Sequence, residues 1–287
     1  MPLSALLVVL IAAVLHAAWN LLAKYARDPS AFMWWGVTIG AAWFTAFMLT
    51  QAWLGLPRDI WVTFAVSLAA EIVYVIAITR GYAAGDLSQV YPIARGSPPL
   101  LIALWSAVFL TERLPTLGYV GILLLVIGVY LASLPALDSF FRPLAALSHR
   151  PAQWGLLAGL CVSLYTVLDK LNVASAAPLV YNAWVYGGIA VGYAPFVWSQ
   201  QNRSSTWLEW KSNWVWIVIG SVATIGSYVL ALIGMSITAA SYVGAVRATS
   251  VLIGALFGWL LLKESFGPIR VIAAAIMLVG LVLIAVA

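Results

Sequence analysis

The feature that most limits what this chain can become is a succession of ten apolar runs, each about 20 residues long, parted by short polar or Gly/Pro breaks. A run of that length crosses the hydrocarbon of a bilayer as a helix, because a helix satisfies its backbone donors and acceptors within the segment. The runs cover residues 3–25, 31–54, 60–80, 87–110, 115–134, 152–174, 178–199, 213–235, 239–262 and 267–286. Hydrophobic side chains make up 64% of the chain and charged ones 8%, outside the range of water-soluble globular domains. The expected fold class is therefore an all-α integral membrane protein with ten transmembrane helices. Met1-Pro2-Leu3-Ser4 carries no basic residue, so the first run is expected to stay in the protein and not be removed as a secretory signal.

The longest polar connections, residues 135–151 and 200–213, leave no room for a soluble domain, which puts any chemistry inside the bundle. A net charge of +5 reflects scattered loop cations and not a nucleic-acid surface. Cys161 is the single cysteine and excludes an internal disulfide. Paired carboxylates, His/Cys metal spacings and a nucleophile with a base are not seen, so no catalytic residue, metal or cofactor is expected.

Polar groups within the runs are then the informative ones, since an ionisable residue at membrane depth faces a partner or a watery cavity. The stretch Asp86 to Pro99 places Arg95 beside Pro92, Pro98 and Pro99, each of which removes a backbone donor. Arg95 is either a binding group or a structural cation neutralised by Glu71 or Asp86, with the prolines as a kink. His16, Asn20 and Lys24 fall on one helical face beside Trp19. Ser67, Glu71 and Tyr74 share a face, with Glu71 close to mid-span, and Ser88, Tyr91, Arg95 and Pro98 form another stripe. Glu71 and His16 are the candidates for proton coupling; Glu71 is equally readable as a permanent counter-ion of Arg95 or His16. In the second half, Ser163, Thr166 and Lys170 make a milder stripe, Thr224 and Tyr228 share a face, and Arg247 stands in the ninth run. Trp184 and Tyr228 are candidate stacking groups for a substrate, against the alternative of packing or interfacial aromatics in a chain with 15 tryptophans. Gly118, Gly121 and Gly128 suit close helix packing or a dimer contact.

The chain also repeats. Arg95 and Arg247 each precede a glutamate, Glu112 and Glu264, by 17 residues, and Gly128 falls over Gly280 in the same register. A second register sets Trp19-Asn20 over Tyr165-Thr166 and Lys24 over Lys170. Residues 1–134 and 152–287 thus read as two five-helix repeats joined by a linker at 135–151. An odd number of crossings turns the second repeat upside down, and inverted repeats place a binding site near the midplane where the halves meet. Arg95 lies ~25 Å along its helix from Glu112, so both arginines can border one central cavity.

Ten runs, the repeat and the closing patterns Glu112-Arg113-Leu114 and Glu264-Ser265-Phe266 resemble the EamA-type members of the drug/metabolite transporter superfamily over nearly the whole chain. His16-Ala17-Ala18-Trp19-Asn20 with Tyr91-Pro92-Ile93-Ala94-Arg95-Gly96 further resembles a subgroup associated with phosphonate utilisation. The resemblance implies a bundle around a central cavity that moves amino acids or other small metabolites, often as an exporter, in the bacterial inner (plasma) membrane. It also implies cytoplasmic termini, whereas the loop Lys and Arg, counted by the positive-inside rule, place both termini outside.

The function expected is a multi-pass secondary transporter of a small anionic or zwitterionic metabolite by alternating access. Its substrate-binding candidates are His16, Trp19, Asn20, Glu71, Tyr74, Tyr91, Arg95, Trp184, Tyr228 and Arg247. Its partners are a small-molecule substrate and membrane lipid, with no nucleic acid, and a monomer is expected ahead of a homodimer. A lipid-carrier flippase subunit, a membrane enzyme and a non-transporting receptor are the alternatives.

Overall fold

In a computed structural model, residues 1–50, 55–84, 87–134, 140, 141, 145, 148–200, 203–262 and 267–287 are described; Asp86, Glu264 and the side chains of Lys24, Ser88 and Tyr91 lie outside that part. The described residues form eleven α-helices: α1 (Leu3–Tyr25), α2 (Pro29–Thr50), α3 (Trp61–Ala84), α4 (Leu87–Phe109), α5 (Thr116–Ala132), α6 (Arg150–Asn172), α7 (Pro178–Gln200), α8 (Arg203–Ile237), α9 (Ala240–Arg247), α10 (Ser250–Leu262) and α11 (Pro268–Val286). Six described helical stretches are long and apolar enough to cross a membrane, with shorter apolar helices at Ile93–Phe109 and Thr116–Ala132.

The helices are apolar outside as well as inside, and size separates the two faces. On α1, Leu3, Leu7, Ile11 and Val14 are exposed, while Ala5, Val9, Ala12 and Ala13 are fully buried. Large side chains turned outward suit lipid, and small ones turned inward let helices approach closely. The tightest crossing joins α5 to α11: a Cβ on Gly121 would sit 2.9 Å from the Gly280 carbonyl, and one on Gly280 2.9 Å from the Gly121 carbonyl. The glycines of the fifth run therefore pack within the chain.

The packing respects the repeat. Helix α3 lies on α6 as α8 lies on α1; α4 meets α6 as α9 and α10 meet α1; α2 packs on α7, and α5 on α11. Exchanging the two halves returns each of these pairings. Even the glycine crossing obeys it, because Gly128 against the Ala273 carbonyl becomes Gly280 against that of Gly121 under the register that pairs Arg95 with Arg247.

Three expectations change. The ninth run is not one helix: α9 ends at Arg247 and α10 starts at Ser250. Between them the amides of Thr249, Val251 and Leu252 bond three residues back, and the Thr249 hydroxyl takes the Val246 carbonyl at 2.7 Å, which overwinds the chain and ends the regular helix. Conversely, α4 continues through Pro92, Pro98 and Pro99 without a break. The polar connection at 200–213 is also largely helical, as the first turns of α8 up to a kink at Asn213 (φ −131°, ψ 17°). Tertiary contacts hold those turns: Trp35 Nε1 donates to the Thr206 carbonyl at 2.9 Å, and buried Glu209 accepts from the Asp28 amide at 3.1 Å and the Asn213 amide group at 2.7 Å.

The closing motif of the first half has a visible purpose. Beyond α4 the Glu112 amide bonds to the Ser106 carbonyl at 3.1 Å, with Thr111 left-handed at φ 52° between them. This is a left-handed helix stop made without glycine. It aims the Glu112 carboxylate at the start of α9, where it accepts from the Ala240 amide at 2.8 Å and the Ser241 hydroxyl at 2.8 Å.

Candidate functional site

Arg95 on α4 and Arg247 at the end of α9 arrive from opposite halves of the chain and line one chamber, along with His16, Tyr165 and Thr166. A second chamber shares His16, Tyr165 and Arg247 and adds Trp19, Glu71 and Tyr228. The two adjoin at these three shared residues.

His16 stands at the junction between them. Arg95 Nη1 lies 3.3 Å from its Nε2, and the Trp19 indole N–H lies 3.3 Å from its Nδ1. Both neighbours can only donate, and a neutral imidazole has a single acceptor nitrogen, so it accepts from one of them and not from both. Asn20, in contrast, donates its amide to the His16 carbonyl at 2.6 Å and lines neither chamber. Arg247 lies over the Tyr228 ring, 5.8 Å from its centroid, and its buried Nε has no hydrogen-bond partner among the described residues. A desolvated guanidinium N–H carries a cost that an anionic ligand would remove.

Glu71 does not turn to Arg95. Its carboxylate oxygen takes a hydrogen bond with the Tyr228 hydroxyl, and the same hydroxyl lies 2.6 Å from Asp169 Oδ2. On its other oxygen Asp169 accepts from Ser67 and from Tyr181, each at 2.6 Å, and Tyr181 in turn accepts from the Asn172 amide at 2.9 Å. The chain Asn172–Tyr181–Asp169–Tyr228–Glu71 is buried throughout and joins α6, α7, α8 and α3.

The structure thus brings together His16, Trp19, Glu71, Tyr74, Arg95, Tyr228 and Arg247 around two adjoining chambers. Trp184 lines neither chamber and packs edge-on against Trp61, ring centroids 5.2 Å apart. Tyr91 lies outside the described side chains. Asp169 and Tyr181 are not among the residues that the sequence singles out, although Asp169 stands four residues after Tyr165, the spacing of a shared helical face. The adjacent Lys170, part of the stripe with Ser163 and Thr166, serves the frame: its ammonium donates to the carbonyls of Met235 and, at 2.9 Å, Thr238, closing the end of α8.

The profile of the EamA-like transporter family matches residues 3–134 and 150–286, two stretches that together take in nearly the whole chain. No curated protein matches it. Among solved structures, the crystal structure of a protein 18% identical to this chain superposes with a TM-score of 0.79 over 100% of this chain and 98% of the other. At that identity the likeness is one of fold.

Proposed function

This chain belongs to the EamA-like transporter family, a multi-pass membrane protein with two repeats, and from that premise we propose a secondary transporter that holds the anionic end of a small metabolite between Arg95 and Arg247. The observation that carries the reading is that one guanidinium from each half borders the same chamber, with the Arg247 Nε unpartnered among the described residues. A planar guanidinium fork suits a carboxylate or a phosphonate-type oxyanion. Trp19, Tyr74 and Tyr228 supply apolar walls for the rest of an anionic or zwitterionic molecule.

Ten crossings in two inverted halves give such a site its access to both sides, alternately, by rocking one half against the other. The single chain completes the chamber, which supports a monomer as the working unit. Export from the bacterial cytoplasm, with both termini cytoplasmic, is the direction we propose from the family resemblance, and a reporter fused at Ala287 reads the side on which the chain ends.

A metabolite library screened for thermal stabilisation of the purified protein identifies the ligand, since a molecule that binds the folded state raises its apparent stability. Loss of one charge-assisted contact costs ~1.5–3 kcal/mol, so Arg247→Ala weakens that ligand about 10- to 150-fold, and Arg95→Ala does likewise. Unchanged uptake of that ligand into proteoliposomes by both variants would sink the clamp.

A further inference from the structure

We infer that Glu71, Tyr228 and Asp169 hold one exchangeable proton between them, resident on Glu71, and that this buried trio is the proton-coupling site of the transporter proposed above.

The argument is a count of hydrogens. A tyrosine hydroxyl carries a single proton, yet the Tyr228 oxygen is in hydrogen-bond contact with a carboxylate on each side. It can donate to one of them only. The other must donate to it, and a carboxyl group donates only when protonated. Two ionised carboxylates about one hydroxyl would leave an oxygen facing an oxygen with no hydrogen between them, among buried groups.

The surroundings decide which acid carries the proton. Asp169 is fully buried and accepts from Ser67, Tyr181 and Tyr228, three donors that suit a carboxylate anion. Glu71 has Tyr228 as its one hydrogen-bond partner among the described residues, and it borders the second chamber. The proton therefore rests on Glu71, at the end of the chain that can exchange with the chamber. When it leaves, it passes to a water or basic group there, and the Tyr228 hydroxyl is left between two anions.

The groups that face this trio come from every neighbouring helix: His16 from α1, Tyr74 from α3, Tyr165 from α6, Tyr186 from α7 and Arg247 from α9. Of these, His16 has only donors against its ring, Arg95 and Trp19, so a second ring proton would meet no acceptor in either of them. With Glu71 neutral, Arg95 and Arg247 stand against one carboxylate charge; after release they stand against two. Proton occupancy thus sets whether the chamber presents surplus positive charge to an anion.

The hydrogen count separates Glu71 from the other acids held by the frame. Glu209 accepts two donors and Glu112 accepts from the start of α9, as carboxylates do. Infrared spectroscopy of the full chain in lipid, at neutral pH, is the test. A protonated-carboxyl C=O band is expected that shifts when glutamate carries ¹³C in its side-chain carboxyl, stays put with labelled aspartate, moves on transfer to D₂O, and is lost in Glu71→Gln. A band that shifts with labelled aspartate, fails to exchange in D₂O, or survives Glu71→Gln overturns the inference, as does the absence of any band. Repeating the measurement in sodium and in choline buffer adds a further arm, since displacement of the band by sodium at fixed pH would make this a metal-cation site. None of these readouts uses a transported substrate, so the proton site can fail while the transporter reading stands, and the reverse.

Discussion

Removing the Glu112 carboxylate tests how the two halves are tied together. Glu112 accepts from the Ala240 amide at 2.8 Å and the Ser241 hydroxyl at 2.8 Å, with the Ser241 amide farther off at 3.4 Å. It therefore caps the first turn of α9 in the way a side-chain N-cap does, but from a distant part of the chain. Loss of such a cap costs ~0.5–2 kcal/mol, and loss of a negative charge at a helix N-terminus costs ~0.3–1 kcal/mol more. Glu112 is partly buried, which places Glu112→Ala near the middle of the combined range, at ~2 kcal/mol. Glu112→Gln keeps one acceptor oxygen and loses the charge, for ~1 kcal/mol. For a chain of this size each kcal/mol moves the melting temperature by about 2 °C, so the alanine variant should unfold about 4 °C lower in mild detergent.

On the opposite side of the same turn, Lys170 binds the carbonyl end of α8, so Glu112→Ala and Lys170→Met should couple in a double-mutant cycle. Arg113→Ala, on the exposed neighbouring residue, is the control and should melt with the wild type. Arg247 ends the helix that Glu112 caps, so a ligand that stabilises the wild type should stabilise Glu112→Ala less. If Glu112→Ala melts with the control and its double mutant with Lys170→Met is simply additive, the carboxylate does not hold α9 and the reasoning fails.

Gly280→Leu should separate α5 from α11, because a Cβ there already meets the Gly121 carbonyl at 2.9 Å; a loss of at least ~1–3 kcal/mol is expected from overpacking, read as a lower melting temperature. Tyr228→Phe keeps the ring under Arg247 and deletes only the bridging hydroxyl, so it should cost ~1–3 kcal/mol of stability, because Asp169 loses a donor and the Glu71 carboxyl loses its acceptor. Glu209→Ala strips an acceptor from the Asp28 amide and from Asn213 and should cost ~2 kcal/mol, with limited proteolysis appearing first near residues 201–213. The aspartate at position 169 should tolerate Asp169→Asn better than Asp169→Leu in a melting assay, since only the amide keeps an acceptor for Ser67 and Tyr181.

The sequence by itself determined the membrane, the helical class and the repeat. Those properties are local or additive: twenty apolar residues require a helix wherever they stand, and Arg95 and Arg247 announce their equivalence by spacing alone. It also picked out Arg95, Arg247, His16 and Glu71, because a polar group in an apolar run is conspicuous without any knowledge of its neighbours. Only the tertiary structure decided what those groups face. Glu71 was legible as a costly acid, but its partner is a tyrosine on α8 shared with Asp169, and that meeting depends on the rotation of three helices about their axes. Helix breaks were equally out of reach. Three prolines left α4 whole while a stretch without any parted α9 from α10, because freed carbonyls and competing hydroxyl bonds are settled by packing around the chain and not by its composition.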